Sequence, residues 1–228
     1  FESVKSLMET LDLPLIVMDN GAEIFNRHGE RIFGSELSQD EVESVFEIAD
    51  KHGLTWMQHK KDPETGKEHL YSNFTEESER AMLDAGIVDT VHNEEGRIGL
   101  QAKSASADEV TGIPGQNYKI QMMSPDFKAV RAAYEELQAK DIPCFLNMQS
   151  PKTGEYHWVE AIRGTKTSGI QNAIDRFLPD DIKNIITLGD GGNDIDMLKH
   201  AGIGIAMENA RDDVKEIADF ITTSVDDD

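Results

Sequence analysis

Apolar residues in this chain change period repeatedly, and the changes mark alternating strands and helices. Phe1, Val4, Leu7, Met8 and Leu11 fall at helical spacing and lead into an apolar run, Leu13 to Met18, that ends at Asp19-Asn20-Gly21. Ile24-Phe25 and Arg31-Ile32-Phe33 flank a turn with His28-Gly29 at its tip, which predicts a hairpin. From about Ser35 the character changes. Ser38 and Glu41 form a capping box ahead of Val42, Val45, Phe46, Ala49 and His52. Leu54 to Gln58 and Glu68 to Tyr71 read as strands, and Thr75 starts a helix through Met82 and Leu83. Residues 86–117 show only short strand signals among Gly, Ser and acidic residues. Lys119 to Met123 is a strand, and Ser124-Pro125 predicts an N-cap with proline at the first helical position. Phe127, Val130, Tyr134 and Leu137 share one face of that helix, which Asp141 to Pro143 ends. Strands follow at Cys144 to Met148 and Tyr156 to Ile162, then a helix with Ile170, Ala173, Ile174 and Phe177 on one face. Ile185, Ile186 and Leu188 read as a buried strand, and Ile195, Met197, Leu198 and Ala201 as the helix after it.

The pattern predicts an α/β core, residues 1–36 and 161–228, interrupted by an α+β insertion at residues 37–160. With 228 residues, 38% hydrophobic and 29% charged, the chain has enough apolar material for one or two real cores. Its 44 acidic and 22 basic residues leave a formal charge of −22, with no run of Lys and Arg. Nucleic acid and anionic membrane surfaces are therefore disfavoured partners. The same charge repels phosphate esters, so a phosphate site would need a divalent cation and locally placed Lys or Arg. The acid excess is equally compatible with salt adaptation and with solubility. One cysteine, Cys144, excludes an intramolecular disulfide and fits a reducing, cytoplasmic setting. Its apolar flanks predict a buried strand thiol. No apolar stretch reaches the roughly 20 residues that cross a bilayer.

Two strand-to-helix junctions carry candidate chemistry. At Gly189-Asp190-Gly191-Gly192-Asn193-Asp194, two carboxylates and an amide sit on a glycine loop at a strand's carboxyl end, where α/β sheets bind ligands. Gly191 and Gly192 would let backbone approach a ligand or take positive φ, and Asn193 and Asp194 can cap the helix. A plain turn with an N-cap explains the same residues. An EF-hand reading fails on spacing, on the missing central glycine and on the absent terminal Glu. Lys166, in Arg163-Gly164-Thr165-Lys166-Thr167-Ser168-Gly169, stands at a helix entrance, where a cation opposes the helix dipole. A solvated lysine is the simple alternative there, as a tight turn is for Asn20-Gly21.

The stretch Gly189 to Leu198, continued by Ala201-Gly202-Ile203-Gly204-Ile205-Ala206-Met207-Glu208-Asn209-Ala210, resembles the fourth motif of the haloacid dehalogenase-like superfamily in its Cof-type sugar-phosphatase branch. Lys166 matches the third motif in placement, with Thr167 where the branch often has glycine, and Asn20-Gly21-Ala22 matches the branch's Asn-Gly-Ala strand end. The resemblance implies a Rossmann-like core with an inserted α+β cap that selects the leaving group. It also implies a Mg²⁺-dependent phosphatase for small phosphorylated metabolites, working through a phospho-aspartyl intermediate. In that scheme Asp190 ligates Mg²⁺, Asp194 holds its water shell, Lys166 bridges phosphate and nucleophile, Asn193 orients loop or phosphate, and Asn20 lines the lip.

The superfamily's first motif, Asp-x-Asp-x-Thr, is absent. At the one similar position, Asp19, Gly21 and Glu23 stand where the second aspartate and the hydroxyl belong. Phe1 to Leu11 resembles the helix after the second motif, so a strand, loop, helix and strand of roughly 30 to 40 residues are expected upstream. The end, Ser224 to Asp228, also looks clipped. Three alternatives remain: a non-catalytic binding module that keeps the loop as structure, a sugar phosphomutase relative, and a cation-pump phosphorylation domain. The last is disfavoured by the absence of membrane spans and of Asp-Lys-Thr-Gly-Thr.

Overall fold

The computed structural model describes residues 6, 8–62, 68–87, 102–149 and 154–224. It has a mixed α/β architecture, and the chain divides into two compact units, residues 1–35 with 164–228, and residues 36–163. No helix among the described residues is long and apolar enough to cross a membrane.

In the first unit β1 (Leu15–Met18), β2 (Glu23–Asn26) and β3 (Arg31–Gly34) form an antiparallel sheet in that order. The hairpin turns at Gly29, φ 81°, as its sequence predicts. Asn26 stabilises the turn by accepting His28 N and Glu30 N on Oδ1. Of the predicted opening helix, Phe1, Val4 and Leu7 lie outside the described residues. Met8 is buried, but Leu11 stands 58% exposed in the turn after it, contrary to its place in the apolar pattern.

The second unit starts with α1 (Gln39–Lys51), and the predicted box is present: Ser38 Oγ accepts Glu41 N, and Glu41 Oε2 accepts Ser38 N. Burial works against ionising Glu41, but hydrogen bonds from Ser38 and Arg163 outweigh it and hold the carboxyl below its ordinary range. β4 (Thr55–Lys61), β5 (Glu68–Ser72), α2 (Glu76–Asp84) capped by Thr75, β6 (Lys103–Ser104), α3 (Ala107–Gly112), β7 (Gln116–Met123), α4 (Phe127–Ala139), β8 (Cys144–Gln149) and β9 (Tyr156–Ile162) follow. Their strands make one six-stranded sheet, ordered β6-β5-β4-β7-β9-β8. One face is packed by Val42, Val45, Phe46 and Ala49 of α1, Val110 of α3, and Val130, Ala133 and Leu137 of α4 against Trp56, Ile120, Met122, Val159 and Ala161. Each buried Val, Leu, Ile, Phe or Met among them stabilises the unit by about 1.5–3 kcal/mol relative to exposure. On the other face Met82 of α2 meets Met57 and Met123.

Two expectations need correction here. The N-cap of α4 is Asp126, which accepts Lys128 N, while Ser124 Oγ accepts Asp126 N in the turn before it. Pro125 thus precedes the helix instead of opening it, because the Asp126 carboxylate is the stronger acceptor for the first free N–H groups. Within residues 86–117 the pattern missed α3, whose box of Ser106 and Glu109 was available as a signal. That helix is short and ends on buried Lys60, whose Nζ donates to Val110 O at 2.8 Å; burial pushes this ammonium below its usual pKa.

Cys144 is half-buried in β8, and burial raises its thiol to about 11. At pH 8 a pKa of 11 leaves about a hundredth of the thiolate that a pKa of 9 would give. The native protein is expected to react with a disulfide reagent roughly 100-fold more slowly than the urea-unfolded chain, and equal rates would show the thiol to be solvated.

Back in the first unit, α5 (Lys166–Phe177) leads through β10 (Ile186–Gly189), α6 (Ile195–His200), β11 (Ile203–Ala206) and α7 (Asp212–Lys215) to β12 (Phe220–Ile221). The three strands are parallel, ordered β10-β11-β12. Leu198, Ala206, Ala210 and Val214 form the core on the helix-covered face. The expected burial of β10 is only half observed: Thr187 and Gly189 are buried, while Ile186 and Leu188 stand 58% and 55% exposed. Alternation puts those two on the opposite face, beside Ile203 and Ile205 in register. Phe177, at the end of the α5 stripe, is exposed as well.

Candidate active site

The first unit gathers every residue singled out at the two junctions. β1 ends in a turn, Asp19–Gly21, whose residues all have positive φ: 48°, 49° and 94°. Only glycine tolerates the last value comfortably, and a Cβ at Gly21 would also strike the Thr165 carbonyl. The turn therefore lies flat against the start of α5. Thr165 caps that helix by accepting Ser168 N, and Ser168 Oγ accepts Thr165 N, a pair the sequence reading passed over because the partner is Ser and not Glu or Gln.

Lys166, first residue of α5, donates from Nζ to Asp194 Oδ1 at 2.5 Å. Asp194 is 4% exposed at its side chain and Lys166 36%. The other oxygen, Oδ2, accepts Asp190 N at 3.2 Å and Gly191 N at 3.0 Å. Asp194 does not cap α6 through its side chain, as the sequence suggested; the carboxylate turns back into the loop, where two N–H groups and an ammonium satisfy it together. Gly189 makes room for this, since a Cβ there would collide with the Asp194 carboxyl. Gly191 is extended, φ −98° and ψ 164°, and neither it nor Gly192 takes positive φ. Gly192 instead borders the Arg211 guanidinium, which Asp213 clamps at 3.0 and 2.7 Å; the sequence reading had not singled out Arg211.

Asn193 Nδ2 donates to Asn20 Oδ1 at 3.1 Å, so an amide bridge ties the Gly189–Asp194 loop to the β1 turn. Asp190, at the carboxyl end of β10, keeps an exposed side chain. The assembly is thus an ammonium, an exposed carboxylate and two amides around a backbone loop. Among the described residues no three His, Cys, Asp or Glu side chains cluster as a metal-ligand set. Asp190 with Asp194 nonetheless fits a hard cation such as Mg²⁺, which takes one or two carboxylates and completes its shell with water and phosphate oxygens. A cleft of about 840 Å³ lies elsewhere, in the second unit, bordered by Glu43, Glu47, Asp50 and Asp108 with no Lys or Arg. Phosphate would be repelled there.

The whole chain, residues 1–228, matches the family model of haloacid dehalogenase-like hydrolases. It is 27% identical over 239 aligned residues to 5-amino-6-(5-phospho-D-ribitylamino)uracil phosphatase YwtE of Bacillus subtilis, covering 98% of this chain and 78% of that protein. A second 5-amino-6-(5-phospho-D-ribitylamino)uracil phosphatase of the same organism, YcsE, is 53% identical over 47 residues, 20% of this chain and 19% of that protein. Three curated relatives are matched over only 25%, 64% and 19% of their own length. Among solved structures, a haloacid dehalogenase-like hydrolase from B. subtilis superposes with TM-score 0.70 at 20% identity, over 97% of this chain and 79% of that one. The subclass IIB sugar phosphatase BT4131 gives TM-score 0.67 at 23% identity, over 98% and 75%. Together with the loop, the lysine and the amide corner described above, these matches place the chain in the haloacid dehalogenase-like hydrolase family.

Proposed function

We propose that this chain is the larger part of a Mg²⁺-dependent phosphomonoesterase for small phosphorylated metabolites, sugar phosphates among them, in which residues 36–163 are the cap and the nucleophilic aspartate lies upstream of Phe1. The observation that carries the reading is the convergence of Lys166, Asp194 and the Asp190 loop beside Asn20. Lys166 stays 36% exposed while paired with Asp194, so the same ammonium can also face an anion at the loop.

In the proposed reaction Lys166 balances charge on the phosphoryl oxygens and on the attacking carboxylate, and Asp194 fixes the ammonium in place. Asn193, steadied by Asn20, presents an amide to the phosphate. Asp190 and Asp194 would hold Mg²⁺, which supplies charge neutralisation at the transferring phosphoryl group. The upstream nucleophile finds support in β10, which forms a sheet edge and carries a bare apolar face. Parallel sheets are ordinarily covered on both faces, so a further strand beside β10 and a helix over Ile186 and Leu188 would complete this one. YwtE and YcsE, named as phosphatases of a ribityl phosphate, and BT4131, named as a sugar phosphatase, support the substrate class.

The test is hydrolysis of a panel of sugar phosphates and other small phosphomonoesters by the protein expressed with its upstream segment. Turnover that disappears on chelation and returns with Mg²⁺ is expected. No turnover on the panel, or a gene that begins close to Phe1, would leave a non-catalytic binding module as the better reading.

A further inference from the structure

In the first unit the loop Gly189–Asp194 is held at both ends. Asp194 Oδ2 grips it as far as Gly191, by accepting Asp190 N and Gly191 N, and Asn20 holds Asn193 through its amide. Between those grips stands Gly192. A Cβ built there would meet Arg211 Nη1 at 3.4 Å and Cζ at 3.9 Å, and no other described residue beyond its chain neighbours within 4 Å. Arg211 is itself firmly placed. Ala210 and Val214, on either side of it, are buried with Leu198 and Ala206, and Met207 N, from the same segment, donates to Gly189 O at 3.1 Å. Arginine is a poor N-cap because it carries no acceptor, and at the start of α7 its side chain makes no cap bond. It lies against the glycine loop, and Asp213 Oδ1 and Oδ2 accept its Nε and Nη2 at 3.0 and 2.7 Å. Two parallel bonds of this kind fix the plane of a guanidinium, which a single ion pair does not.

Consecutive glycines such as Gly191-Gly192 have the most backbone freedom to lose on ordering. The Asp190 side chain is exposed and its carboxylate has no hydrogen-bond or ion-pair partner among the described residues, so its position follows its backbone. We propose that Arg211, clamped by Asp213, is a positioning residue. It limits the excursions of Gly192 and thereby keeps the Asp190 carboxylate where a divalent cation can be bound. In this scheme Arg211 touches neither the cation nor the phosphate; it raises the fraction of molecules whose loop is ready to bind. If its removal lowers that fraction about tenfold, apparent cation affinity falls about tenfold while the loaded state is unchanged. In taking Asp190 as a metal ligand the inference rests on the phosphatase reading; as a brace on the loop it stands without it.

The test titrates the protein expressed with its upstream segment with Mn²⁺, a paramagnetic stand-in for Mg²⁺, and reads free Mn²⁺ by electron paramagnetic resonance. Arg211→Ala is expected to weaken Mn²⁺ binding by about 10–100-fold, the usual effect of removing a group that orients a metal ligand. The Mg²⁺ concentration for half-maximal turnover should rise by the same factor, with kcat at saturating Mg²⁺ within about threefold of wild type. Without metal, hydrogen exchange of the amides of residues 190–193 should quicken by about tenfold or more. The urea midpoint should stay in place, since Arg211 and Asp213 are 37% and 47% exposed. Arg211→Lys is not expected to restore the affinity, because one ammonium cannot hold both Asp213 oxygens in a plane along the glycine. Should Arg211→Ala not fold, Asp213→Asn, which keeps the arginine and loosens its clamp, is expected to shift Mn²⁺ affinity in the same direction by a smaller factor. Wild-type Mn²⁺ affinity and loop exchange in Arg211→Ala, full rescue by Arg211→Lys, or exchange that quickens throughout the unit with a lowered midpoint would overturn the brace. No Mn²⁺ binding by the wild type, with loop exchange still sensitive to Arg211→Ala, would sink the metal reading and keep the brace.

Discussion

Lys166→Met and Asp190→Ala, each made in the protein with its upstream segment, are expected to lower kcat/KM for phosphomonoester hydrolysis by about 10²–10⁴-fold. Their effects on stability should differ, and that difference tests the geometry independently of the chemistry. Asp190 is exposed, so its loss is expected to move the unfolding free energy by no more than about 0.5 kcal/mol. Lys166→Met removes the cation from a carboxylate that is 4% exposed, at a cost of about 1–3 kcal/mol softened by the loop N–H groups that remain. Asp194→Ala should cost more than Lys166→Met. It forfeits the bonds to Asp190 N and Gly191 N as well as the ion pair, and Lys166, 36% exposed, is better hydrated when left alone than Asp194 at 4%. Urea titration of the three variants gives the order. Wild-type turnover in Lys166→Met would contradict its proposed catalytic role, and a stability loss for Asp194→Ala no larger than that for Lys166→Met would contradict the geometry around Asp194.

Gly21→Ala is the second large effect. The residue sits at φ 94° and its Cβ would meet the Thr165 carbonyl, so strain and collision act together. We expect a loss of about 2–4 kcal/mol, and with it a displaced Asn20 and a broken bridge to Asn193. Gly53→Ala is the control. It shares a positive φ, 63°, but nothing lies within 4 Å of the added carbon, and about 1 kcal/mol is expected. Equal midpoints for the two variants in a denaturant titration would mean that the turn does not press on α5.

Local chemistry made much of the fold readable. The box at Ser38, the helix start at Thr75, the hairpin at Gly29 and the strands at Tyr156 and Cys144 depend on neighbours a few positions apart, so a linear pattern contains them. The errors arose where a remote group competed. Ser124 looked like the cap of α4 until Asp126, a better acceptor, took the N–H groups. Ile186 and Leu188 looked buried because apolar strands usually are, but β10 is an edge with one bare face, a fact about which strands lie beside it.

The site divides the same way. By itself the sequence established that a lysine opens one helix, that two aspartates and an asparagine share a glycine loop after a strand, and that Asn-Gly-Ala ends another, because each is a short run tied to one junction. Only the tertiary structure decided which of these groups touch. Asp194 could have capped its own helix, and instead it holds Lys166 from 28 positions away along the chain; Asn193 reaches Asn20 across 173. Those partners are chosen by the positive-φ turn and by Gly21 packing on Thr165, and the energy of such contacts depends on distance in space, which no spacing along the chain encodes.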